Sequence, residues 1–154
     1  MEDENLYITR RHLPHWTMSG ATYFVTYRTK RGSLTLEEQR LTLGHIRAGD
    51  GKYYTLIAAI VMPDHVHLLL TPNNQYSLSR IMKAIKGVSA RKINILRDSS
   101  KHVWQDESYD RLIRNQAELL QKLDYMLNNP LKANLTDDPW QYHGWYCNLE
   151  NVPL

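Results

Sequence analysis

The chain has 154 residues, 19 of them Lys or Arg against 16 Asp or Glu, and 42% of it is hydrophobic. That length suits one compact domain with a sizeable core, and the apolar content excludes a wholly disordered chain. No run reaches the roughly 18–20 apolar residues of a membrane span, and the lone cysteine, Cys147, excludes an internal disulfide and a cysteine-built zinc cage.

The start Met1-Glu2-Asp3-Glu4 is acidic where a signal peptide is basic, so a cytoplasmic protein is expected. Arg10-Arg11-His12-Leu13-Pro14-His15-Trp16 then reads as an extended basic and aromatic arm spanning about residues 5–20. After Gly20, the alternation Thr22 to Arg28 predicts a strand. Thr35 and Glu38 have capping-box spacing for a helix to about Arg47, closed by Gly49-Asp50-Gly51. Tyr53 to Met62 and His65 to Thr71 predict two adjacent buried strands about a bend at Pro63-Asp64. Ser77 can cap a helix carrying Leu78, Ile81, Met82, Ile85 and Val88 at helical spacing, with Gly87 as a point of bending before Ile93 and Leu96.

From His102 to Arg114 the pattern is weak and suggests a short strand. Asn115 and Glu118 open a last helix through Leu119, Leu123 and Leu127, expected to end near Asn128-Asn129-Pro130. An aromatic, turn-rich tail occupies about residues 138–154. With no repeat or long linker, residues 1–154 read as one α+β domain.

Three features carry chemistry. In a strand the side-chain period is two, so His65 and His67 share a face while Val66 and Leu68 take the opposite, apolar one. That pair can hold one metal ion; the plainer reading of the tripeptide alone is one satisfied and one solvated histidine. Tyr125 and Asn129, four apart on a helix, share a face, either around a site or as a packed tyrosine and an asparagine cap. The helix from Ser77 carries Arg80, Lys83, Lys86, Arg91, Lys92 and Arg97, a phosphate-contacting surface or a solvated basic face. Of the other tyrosines, Tyr23 and Tyr27 are assigned to the first strand, Tyr53 and Tyr54 to a sheet edge and Tyr109 to packing near the site. Asp64 is assigned to the turn.

Taken together, Gly20 to Thr26, Val61 to His67, Trp104-Gln105, Tyr109 to Arg114 and Tyr125 to Pro130 resemble the REP-associated tyrosine transposases, a branch of the single-tyrosine insertion-sequence transposases with a His-hydrophobic-His motif. The resemblance spans roughly residues 10–140. It implies a ferredoxin-like domain with a central antiparallel sheet and packed helices, His65 and His67 as metal ligands, Tyr125 as nucleophile and Asn129 as a weaker third ligand. The implied cofactor is Mg²⁺ or Mn²⁺, and the implied substrate is single-stranded DNA beside a REP-like hairpin. Cleavage and rejoining would pass through a 5′-phosphotyrosine. Arg10, Arg11, His12 and Gly20 are the candidates for end recognition, with Arg80, Lys83 and Lys86 for the hairpin backbone. A bacterial, nucleoid-associated protein without membrane partners is expected, a monomer in preference to a dimer. The alternatives are a metal phosphoesterase that activates water and a hairpin-binding protein that does not cut.

Overall fold

In the computed structural model, residues 20–153 are described. Five strands form one antiparallel sheet in the order β4-β1-β3-β2-β5: β1 (Thr22–Thr29), β2 (Tyr54–Val61), β3 (His65–Pro72), β4 (Trp104–Ile113) and β5 (Trp145–Cys147). Helices α1 (Leu36–Ala48), α2 (Leu78–Arg97) and α3 (Gln116–Lys132) complete the fold. The first four strands and α1 and α2 run β-α-β-β-α-β, the split arrangement of a ferredoxin-like domain. The expected α+β class and central antiparallel sheet are therefore both present.

Strand alternation divides the core into two layers. Val25 and Tyr27 of β1 and Val66, Leu68 and Leu70 of β3 pack with Ile46 of α1 and Ile81, Ile85 and Ile93 of α2. Phe24, Leu69, Ile57 and Ile60 face the other way and meet Leu119, Leu123 and Met126 of α3. The sheet thus separates α1 and α2 from α3.

Local signals explain most element ends. Thr35 and Glu38 form the reciprocal capping box at α1. Ser77 accepts from the Arg80 N–H at the start of α2, and Asn115 from the Glu118 N–H at the start of α3. Met62 and His65 close the β2–β3 hairpin through the Met62 N–H and the His65 carbonyl, 2.8 Å apart, around Pro63-Asp64.

Helix α2 does run on past Gly87 through Ile93 and Leu96, as expected, to Arg97, where Asp98 in the left-handed region at φ 53° sets its end. Several sequence expectations need correction. The weak segment after His102 is a ten-residue edge strand, whose mostly exposed side chains deprive it of an apolar alternation. Helix α3 continues past Asn129 with Pro130 inside it; the Ala133 N–H donates to the Asn129 carbonyl and the Leu135 N–H to the Pro130 carbonyl. The aromatic tail adds strand β5 against Ala58, Ala59 and Ile60, braced by the Tyr142 hydroxyl donating to the Val61 carbonyl at 3.1 Å. Tyr54 is not an edge residue: it is fully buried and donates to the Ile46 carbonyl at 2.6 Å.

Candidate active site

β3 places His65 and His67 on the α3 side of the sheet, as their spacing predicts, with ring centroids 4.8 Å apart. His67 is buried. Its Nδ1 lies 2.7 Å from the Thr26 Oγ1 on the neighbouring strand, and Phe24 stacks on its ring at 5.2 Å. Its Nε2 is buried with no hydrogen-bond partner. Burial above all, reinforced by His65, Arg28 and Lys122, pushes the His67 pKa down to about 3. The ring is therefore neutral; in the tautomer that donates its Nδ1 proton to Thr26, Nε2 presents a bare lone pair.

His65 is oriented from both sides. Its Nδ1 is 2.7 Å from the Asp64 Oδ1, and its Nε2 is 3.2 Å from the Asn129 Oδ1. The Asn129 amide is fixed by its own Nδ2, which donates to the Tyr125 carbonyl at 2.9 Å. A carboxylate only accepts, so Nδ1 of His65 carries a hydrogen and Nε2 turns toward an oxygen that is itself an acceptor. Asp64 thus does more than form the turn to which the sequence assigned it: it orients His65, as carboxylates behind metal-binding histidines do.

Tyr125 completes the cluster from α3. Its ring is 5.4 Å from that of His67 and 6.2 Å from that of Phe24, both edge-on, and the residue is 48% exposed. Lys122, one turn earlier, holds its ammonium 4.7 Å from the Phe24 centroid and 5.8 Å from that of Tyr125. Arg28 is the β1 residue opposite His65. The arrangement joins a neutral imidazole with an unpartnered nitrogen, a second imidazole, an amide oxygen and a solvent-accessible phenol. Among the described residues no third His, Cys, Asp or Glu joins the two histidines, so a cation there would rely on the Asn129 oxygen.

A sequence profile described as "Transposase IS200 like" matches residues 22–126, from the start of β1 to just past Tyr125. The chain belongs to the IS200-like transposase family. Membership makes it a DNA transposase. The chain is 26% identical over 141 residues to a REP-associated tyrosine transposase of Escherichia coli K12, covering 89% of this chain and 76% of that one. It is 50% identical over 38 residues to the ISDra2 transposase TnpA of Deinococcus radiodurans, 25% of this chain and 27% of that one. In fold it is similar to a solved REP-associated tyrosine transposase bound to a REP hairpin, with a TM-score of 0.63 at 23% identity over 86% of this chain and 79% of that one.

For this transposase, the described residues among the expected DNA contacts lie away from the two histidines. Gly20 sits against Thr71, at the end of β3 away from His65. Arg80, Lys83 and Lys86 belong to α2, across the sheet from Tyr125. Arg80 lies over the Tyr76 ring, and the Lys86 ammonium donates to the Asp106 carbonyl at 3.0 Å and the Ser108 hydroxyl at 3.1 Å, bracing β4. Arg10, Arg11 and His12 lie outside the described residues. Sequence reasoning missed Thr26, Phe24, Lys122 and Arg28. Each reaches the site through strand register or a helix face, and only the i, i+3 spacing of Lys122 and Tyr125 was visible in advance.

Proposed function

We propose that this transposase cleaves and rejoins single-stranded DNA beside a REP-like hairpin, with Tyr125 as nucleophile. The observation that carries the reading is the joint position of the Tyr125 phenol, the unpartnered His67 Nε2 and the Asn129 oxygen facing His65. The named relatives support the hairpin as substrate.

His65, His67 and Asn129 would hold a divalent cation. Two imidazole nitrogens and one amide oxygen suit Mn²⁺ and admit Mg²⁺, which prefers oxygen more strongly. When bound, such an ion supplies charge neutralisation at the phosphate and the leaving oxygen. The residues of the chain do the rest. Thr26 and Asp64 hold the two rings in the tautomers that leave Nε2 free on His67 and directed at Asn129 on His65. Helix α3 fixes Tyr125 and Asn129 together through the amide-to-carbonyl bond.

Tyr125 Oη forms a bond to the phosphorus as the bond to the 3′ oxygen breaks. The phenolic proton passes to solvent and the departing oxygen takes one up, leaving a free 3′-hydroxyl and a DNA 5′ end on Tyr125. Attack by that hydroxyl reverses the step, so the phosphodiester energy is retained without ATP. The phenol's exposure admits a bulky strand. Since all four side chains come from one chain, residues 1–154 acting as a single catalytic domain, monomeric in function, is the accompanying reading.

The test is incubation of labelled hairpin DNA carrying single-stranded flanks with Mn²⁺ or Mg²⁺, followed by denaturing electrophoresis of the protein. A labelled adduct that disappears in Tyr125→Phe is the expected result. Free products with no adduct at any time would indicate water as the nucleophile, and binding without cleavage would indicate a hairpin-binding protein.

A further inference from the structure

Among the described residues, nothing covers the sheet surface that carries His65 and His67 as it continues toward its β4 edge. Cross-strand register places Thr26 beside His67 and Tyr109 beside Thr26; one step along the strands, Phe24 stands between Leu69 and Arg111. Side chains directly opposite one another in a sheet share a face. Tyr109 and Arg111 therefore lie on the His67 side, with Ile113 of the same strand buried under α3 as the marker of that side. Helix α3 does not extend over Tyr109, which is 65% exposed against the expectation that it packs. Two inter-strand spacings put it about 10 Å from His67 across the sheet.

The cations on this face lack strong partners. Lys122 is half-buried over Phe24 and Tyr125 and has no carboxylate within ion-pair distance among the described residues. Arg28 is exposed opposite His65. Arg111 is 61% exposed and approaches Glu118 only at 4.0 Å. The basic residues of α2 lie across the sheet, where Lys86 is already engaged by β4. An exposed aromatic ring flanked by weakly engaged cations is the chemistry of a single-stranded nucleic acid surface: the ring stacks a base of any identity while the cations follow the phosphates.

We infer that this open β1–β4 face is the track for the unpaired strand entering the site, with Tyr109 stacking a base and Arg111, Lys122 and Arg28 holding successive phosphates up to Tyr125. The inference rests on the single-stranded DNA reading above, and its test requires no cleavage. Fluorescence anisotropy of a labelled oligothymidylate of about 12 nucleotides, within the span such sites occupy, is measured with the full chain and with Tyr109→Ala, Tyr109→Phe, Lys122→Gln and Lys52→Gln.

Tyr109→Ala is expected to weaken binding about 5- to 150-fold, the worth of one base–aromatic stack. Tyr109→Phe keeps the ring and the wild-type affinity. Lys122→Gln lowers affinity and flattens its dependence on salt. Lys52→Gln, in the turn between α1 and β2, changes neither. Wild-type affinity in Tyr109→Ala, equal losses in the Phe and Ala variants, or no binding of the oligothymidylate by the wild-type chain would overturn the track. Tyr125→Phe separates the two ideas. Loss of the covalent adduct with Tyr109-dependent binding intact supports both, and absence of any wild-type adduct with that binding intact removes the catalytic reading alone.

Discussion

Thr26→Val tests whether the neighbour of His67 sets the chemistry of the site. Thr26 is 7% exposed and His67 3%, with Oγ1 and Nδ1 2.7 Å apart, so water cannot readily replace the hydroxyl. Valine has nearly the same shape, and the substitution therefore removes a hydrogen bond without opening a cavity. The buried Nδ1–H left behind costs about 1–3 kcal/mol. The imidazole can avoid part of that cost by moving its hydrogen to Nε2, the atom that would bind the cation. Loss of such an outer partner typically weakens metal binding about 10- to 100-fold. The assay is DNA cleavage as a function of Mn²⁺ concentration. The half-saturating concentration is expected to rise by that factor in Thr26→Val and to return toward wild type in Thr26→Ser. An unchanged Mn²⁺ dependence in a folded Thr26→Val protein would refute the assignment of His67 Nε2 as a ligand.

Two further outcomes follow from the same geometry. Asn129→Ala should raise the half-saturating Mn²⁺ concentration about 10-fold while Asn129→Asp lowers it, since a carboxylate is the stronger ligand; metal titrations of the two variants check this. Away from the site, the Arg97 guanidinium bonds both oxygens of buried Glu38 at 2.8 and 2.9 Å and holds that carboxyl below its ordinary range. A folded-state pKa below the unfolded one stabilises the protein at pH values above the unfolded pKa, and this contribution is lost as pH falls through the folded pKa. Glu38→Gln should therefore cost about 1–2 kcal/mol near neutral pH, allowing for the partial exposure of Arg97, with the gap closing in strong acid; urea unfolding at neutral pH and near pH 3 measures it.

What could be read in advance followed from periodicity. A period of two put His65 and His67 on one face, and a spacing of four put Tyr125 and Asn129 together; the structure has both pairs meeting through the His65–Asn129 contact. Capping chemistry likewise fixed the starts of α1, α2 and α3. The rest depends on which strands become neighbours. Thr26 and His67 are 41 residues apart and meet only through the β1–β3 register, which local pattern does not encode. β4 was faint because an edge strand with few buried side chains needs no apolar alternation, and β5 because three residues are too short to show one. Asp64 was read as a turn residue because nothing in the sequence shows its carboxylate turning back onto the next side chain.

The central claim is that Tyr125 becomes covalently linked to DNA. After reaction with a cleavable hairpin substrate and nuclease trimming of the adduct, peptide mass spectrometry should find the added 5′-phosphonucleotide on Tyr125, with a matching free 3′-hydroxyl on the released strand. A phosphonucleotide on any other tyrosine, or complete cleavage with unmodified Tyr125 throughout the time course, would contradict the account.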